Sequence, residues 1–250
     1  MNLLRRERAI ILLALAGVTA IAWLYLFVAR ANMNMPMPAM GGMPDMAMPF
    51  PAPWVFAMWW VMMLGMMLPS AAPMILTFAA LQRRKQERDE PYVPTAMFVT
   101  GYLIVWGGFS LAATSAQWAL QQNALLSPMM ALASSTVGGA LFILAGIYQF
   151  TPLKYACLTH CRSPFAFVLN HWRDGWSGAL SMGISHGLYC LGCCWVLMAL
   201  LFAVGVMNLV WVAIIAAFVF AEKLLPRGVW VARLGGGAMA AFGVWLLSVP

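Results

Sequence analysis

The sequence predicts an all-α fold, a polytopic transmembrane helical bundle of about seven spans with a cytoplasmic N-terminus, on three observations. Of the 250 residues, 64% are hydrophobic and only 8% are charged, and the mean hydropathy is positive, far from the balance of a soluble globular domain. Apolar runs near 20 residues long recur along the chain, each long enough to cross about 30 Å of hydrocarbon as a helix. The positive charges fall almost entirely on one side of the resulting layout. The ten-residue alternating segments of a transmembrane barrel do not occur. With most of the chain in spans no soluble domain fits, and the +7 charge reports topology rather than nucleic-acid binding.

The spans read at about 9–29, 54–80, 93–119, 133–150, 178–202, 207–225 and 229–248. The fourth is short and holds Gly138 and Gly139, and only a tight turn near Gly205 to Asn208 parts the fifth from the sixth. Six or eight spans are the alternatives. Arg5, Arg6 and Arg8 precede the first span, and Arg83, Arg84, Lys85 and Arg88 follow the second. Lys154, Arg162 and Arg173 follow the fourth, and Lys223, Arg227 and Arg233 flank the turn between the sixth and seventh. Only Arg30 falls on the opposite side, so the N-terminus is expected in the cytoplasm and segments 30–53, 120–132 and 205–208 outside. Residues 1–30 then form an N-terminal anchor helix, 31–53 a Met/Pro-rich extracytoplasmic loop, and 54–250 a transmembrane helical bundle. Ala29-Arg30-Ala31 resembles a cleavage site, but the preceding apolar stretch is too long for a signal peptide and predicts a retained anchor. Trp23, Trp54, Trp118, Trp176 and Trp230 lie near span ends, as interfacial anchors do. The run QRRKQERDE reads as a solvated loop, and no internal repeat stands out.

Sulfur collects in three places. The outer loop carries Met33, Met35, Met37, Met40, Met43, Met46 and Met48, separated by Pro and Gly that exclude a stable helix. A thioether has no proton to lose, and soft sulfur favours Cu(I) or Ag(I) over hard cations, so the loop reads as a Cu(I)-capturing segment rather than a bare linker. In the second span, MWWVMMLGMMLPSAAPM places Met58, Met62 and Met66 on one helical face with Met63 and Met67 beside them. Met is also an ordinary apolar filler. Pro69 and Pro73 free backbone carbonyls, as helices lining a pathway do.

The third collection is SHGLYCLGCCW in the fifth span. His186, Cys190, Cys193 and Cys194 fall at helical angles of about 0°, 40°, −20° and 80°, within one arc. Met182 and Met198 extend the arc, and Gly183, Gly187 and Gly192 permit a close neighbouring helix. Ionisable groups at that depth point to function. A companion set, Cys157, His160 and Cys161, lies on one face of a short helix that Thr151 caps and Pro152 starts. His171 and Asp174 are close enough in sequence to approach it. All five Cys and all three His fall inside residues 157–194. Paired CxxC loops of a structural zinc site are absent.

The segments LPSAAPM, YQFTPLKYACLTHC, HWRDG, MGISHGLYCLGCCWVLM and EKLLP resemble the family of predicted metal-binding integral membrane proteins, which includes membrane copper chaperones for copper oxidases such as tyrosinase. The resemblance spans residues 54–248 and leaves the Met-rich loop outside it. It implies Cys157, His160, Cys161, His186, Cys190, Cys193 and Cys194 as metal ligands, with Met62, Met63, Met66 and Met67 as secondary ones.

The expected function is therefore a non-enzymatic copper(I) chaperone or transfer conduit in a bacterial inner membrane, with the lipid bilayer and a copper-enzyme client as partners. No phosphate loop or phosphorylated-Asp motif appears. The enzymatic alternative is a thiol-disulfide oxidoreductase using Cys190 and Cys193, which deep burial disfavours. A third reading is an assembly subunit of a membrane complex. Bis-His haem ligation lacks a second imidazole within the spans.

Overall fold

The structure is a computed structural model that describes residues 2–33, 51–123, 125–126 and 134–248. Within them lie the helices α1 (Asn2–Met33), α2 (Ala52–Glu87), α3 (Thr95–Gln122), α4 (Ser135–Tyr148), α5 (Pro152–Arg162), α6 (Pro164–His171), α7 (Gly175–Val204), α8 (Leu209–Leu224) and α9 (Gly228–Ser248). Proline punctuates them as its missing N–H requires, standing at the starts of α5 and α6 and just before α2 and α3. Thr151 caps α5 by accepting from the Lys154 amide, as the sequence predicts. Gly205, at φ 93°, ends α7 in a conformation that a side chain would strain.

Among the described residues five helices are long and apolar enough to cross a membrane: Arg6–Asn32 of α1, then α2, α3, α7 and α9. A sixth arises if α4 and α5, bent by 65° at Gln149–Thr151, count as one broken span. The expected span at 207–225 corresponds to α8, which has only 16 residues and ends in Glu222 and Lys223, both buried. Large apolar side chains such as Leu13, Ile21, Leu24, Leu234 and Trp245 cover the outer surface, which suits contact with lipid.

Helix α7 is the hub, packing on α3, α4, α5 and α8, while α2 touches α1, α3, α6 and α8. Small residues set the closest approaches. A Cβ on Gly187 would lie 2.9 Å from Val105 Cβ, and one on Gly183 would collide with the Phe98 carbonyl. The α3 and α7 backbones therefore meet almost directly, as small-residue seams allow. Pro69 and Pro73 do not break α2, which runs through both.

Candidate metal centre

The arc on α7 faces the middle of the bundle. His186, Cys190, Cys193 and Cys194 are each at most 2% exposed. The four come together because their spacing puts them on one face, and α3, α5 and α8 pack against α7 while α2 reaches that face through Met67. All five cysteines are free thiols.

Cys190 is the node. Its Sγ lies 2.9 Å from Lys223 Nζ of α8 and 3.2 Å from the Tyr102 hydroxyl of α3. Cys193 and Cys194 donate their thiols to the Cys190 carbonyl at 3.0 and 2.9 Å. Cys161 of α5 is buried beside Cys190 and Cys193 and interacts with them electrostatically. Cys194 Sγ sits 4.0 Å from Met67 Sδ of α2. Ser70, one turn along α2, accepts from Lys223 Nζ at 3.2 Å and donates to the Met67 carbonyl at 2.9 Å. Four thiols and a thioether thus converge at a buried point where five helices meet.

His186 stands one turn before Cys190, its ring 5.5 Å from Tyr102, 5.6 Å from Phe167 and 6.0 Å from Phe98 between centroids. Neither imidazole nitrogen has a hydrogen-bond partner. A buried imidazole with both nitrogens unpaired loses its hydration with nothing in return, so such a group calls for a specific explanation. A ligand to be bound there is one.

The short helix α5 splits the companion set. Cys161 joins the α7 sulfurs, but Cys157 is half-buried against Gly192, where an added Cβ would lie 2.7 Å from its Sγ. His160 stacks on Tyr189 at 4.2 Å and 1°, with its Nδ1 2.8 Å from the Ala156 carbonyl. His171 lies 6.1 Å from His160 and anchors its own Nδ1 on the Phe167 carbonyl. Asp174 is elsewhere: it accepts from Lys85 at 2.5 Å and from Trp172, and these donors hold its carboxyl below the ordinary range. Met62, Met63 and Met66 are buried in the core, without a sulfur contact of the kind Met67 makes. Met33 is the last residue of α1, and Met35, Met37, Met40, Met43, Met46 and Met48 lie outside the described residues.

The orientation of α5 and α8 comes from a charge network that sequence reading assigned to flanking loops. Lys154 Nζ pairs with both carboxylate oxygens of Glu222 at 2.8 and 2.9 Å, and it also donates to Gln149. Arg162 donates to the carbonyls of Glu222, Leu225 and Pro226, satisfying the C-terminal end of α8. Locked this way, α5 turns Cys161 inward and α8 turns Lys223 onto Cys190. Lys223, Tyr102 and Ser70 were missed as site residues. The adjacent charges Glu222-Lys223, closing an otherwise apolar helix, were the available signal.

Among the described residues no three His, Cys, Asp or Glu side chains form a group set to hold a metal ion. Instead, the Cys193 and Cys194 thiols turn onto the Cys190 carbonyl, and Cys194 also reaches Met67 Sδ. What the pocket does offer is soft: sulfurs within reach of each other and one imidazole without partners. That donor set fits a soft ion of low coordination number rather than a hard cation, which seeks oxygen.

A family model described as PpoB2, copper chaperone, matches residues 56–246. The chain belongs to this copper chaperone family. The matched region holds the whole sulfur pocket and excludes α1 and the Met-rich loop. No curated protein and no solved structure matches the chain.

Proposed function

We propose that this chain is a multi-pass protein of a bacterial inner membrane that binds Cu(I) as cargo and passes it to an exported or membrane-bound copper enzyme. The observation that carries this reading is the convergence of Cys161, Cys190, Cys193, Cys194 and Met67 beside an unpartnered, buried His186. Membership in a copper chaperone family supplies the metal, and the softness of the donors supplies the oxidation state. The protein acts as a carrier rather than as an enzyme.

Cu(I) is content with two or three ligands, so an incoming sulfur binds before the outgoing one leaves. Cys190 and Cys193 hold the ion, with Cys161, Cys194 and Met67 as exchange partners and His186 taking it one turn further along α7. His160 and Cys157, at the α5 surface, serve the end nearer the positively charged loops. Met33 and the loop methionines capture or release the ion on the other side, with Met62, Met63 and Met66 between. By the positive-inside rule the N-terminus and the loops after α2 and α5 are cytoplasmic. Residues 1–30 anchor, 31–53 form the outer loop and 54–250 form the carrier bundle, crossing the membrane about seven times.

The thiol-oxidoreductase reading needs a thiolate that a partner disulfide can reach. Cys190 and Cys193 are each 1% exposed, which disfavours it. Anaerobic Cu(I) titration of reduced protein in lipid nanodiscs, followed by X-ray absorption, tests the proposal. Stoichiometric binding with sulfur-dominated coordination is expected, and binding no better than empty nanodiscs would overturn it.

A further inference from the structure

Among the described residues the charged side chains buried in the bundle are Lys154, Glu222 and Lys223. Lys154 and Glu222 neutralise each other. Lys223 pairs with no carboxylate among the described residues, and its ammonium rests on Cys190 Sγ at 2.9 Å and Ser70 Oγ at 3.2 Å. A buried charge without a counter-charge is costly, so the pocket around Lys223 favours contents of net charge −1. The group in contact with the ammonium that is able to supply that charge is the Cys190 sulfur.

We infer that Lys223 sets the charge of the ion this site accepts, admitting monovalent soft cations and rejecting divalent ones. The inference rests on the proposed Cu(I) cargo and adds a selectivity rule to it. On the proposed site the ion is held by two thiolates, those of Cys190 and Cys193, and Lys223 Nζ lies 2.9 Å from the first of them. A monovalent ion on two thiolates carries −1 and is neutralised by Lys223. A divalent ion on the same two thiolates is already neutral, and Lys223 then leaves an uncompensated positive charge. Softness alone does not make this distinction, because thiolates also bind Zn(II) and Cd(II) strongly.

The test compares wild type with Lys223→Met, which keeps the length and removes the charge, and with Lys223→Arg, which keeps the charge. Each is titrated in nanodiscs with Cu(I) and with Cd(II), and folding is checked by thermal unfolding. At about 5 Å and an effective dielectric near 20, losing the ammonium should shift the Cu(I)-to-Cd(II) affinity ratio by about 100-fold toward Cd(II). Arg should restore the wild-type ratio to within about tenfold, one unit of the free-energy scale. A Lys223→Met ratio equal to wild type overturns the inference. So does Cd(II) bound to wild type through three sulfurs as tightly as Cu(I). If Lys223→Met does not fold, competition on wild type decides: Ag(I) displaces Cu(I) whereas Cd(II) at the same concentration does not, and equal displacement overturns the inference. Failure of wild type to bind Cu(I) at all sinks the cargo proposal instead, so the two failures are distinct.

Discussion

Lys154 and Glu222, 68 residues apart, form a 2.8 Å salt bridge with both side chains only 1% exposed. The pair ties the start of α5 to the end of α8; Lys223 stands at that end of α8, and Cys161 lies about two turns further along α5. The bridge is therefore the mechanical support of the site rather than part of its chemistry.

Removing one partner of this bridge leaves the other charge buried alone. Lys154→Met should destabilise the protein by about 3–5 kcal/mol, whereas Lys154→Met with Glu222→Met should recover most of the loss. Denaturant unfolding in mixed micelles measures both. A single variant as stable as wild type would show that the bridge contributes nothing.

Cys161 and Cys157 are four residues apart yet meet different surroundings. Cys161→Ser should lower Cu(I) affinity by about tenfold or more, roughly the loss of 1.4 kcal/mol or greater, while Cys157→Ser should change it less than about threefold. Competition with a Cu(I) chelator resolves the two. Equal losses would mean that the α5 cysteines act as one unit.

Among the α2 methionines Met67 has its sulfur at the cluster. Met67→Leu conserves volume, so the fold should tolerate it at a cost under about 1.5 kcal/mol. Copper affinity should fall for Met67→Leu and stay level for Met62→Leu, both read by the same competition assay. The reverse order would place the thioether contact elsewhere on α2.

The α7 arc was legible in the sequence because helical periodicity alone fixes the relative angles of His186, Cys190, Cys193 and Cys194. The α5 start was legible because Thr151 and Pro152 act locally. The split between Cys157 and Cys161 was not, since it depends on Gly192 admitting α5 against one side of α7. Lys223 was read as a flanking charge because nothing local to α8 shows that its last turn packs onto Cys190. The break at Gln149–Thr151 was legible for the same local reason as the α5 start, but its 65° angle was not, because it depends on how Arg162 and Lys154 hold α5 against α8.

The α3–α7 seam leaves no room for a methyl group at Gly183, where a Cβ meets the Phe98 carbonyl and comes within 3.1 Å of Gly101 Cα. Gly183→Ala should destabilise by about 1–3 kcal/mol through overpacking and should loosen the wall that holds Tyr102. Gly108→Ala, with nothing within 4 Å, is the matched control and should be neutral or slightly stabilising. Thermal unfolding of the two variants side by side measures the difference.

The central claim is that the buried cysteine cluster of α7 is where copper is held. Its most direct measurement is Cu(I) titration of wild type beside a Cys190→Ser, Cys193→Ser, Cys194→Ser variant, both reduced, folded and in nanodiscs. Wild type should bind tightly, and the triple variant should lose at least about a thousandfold in affinity, some 4 kcal/mol. A folded triple variant that keeps wild-type affinity would contradict the claim.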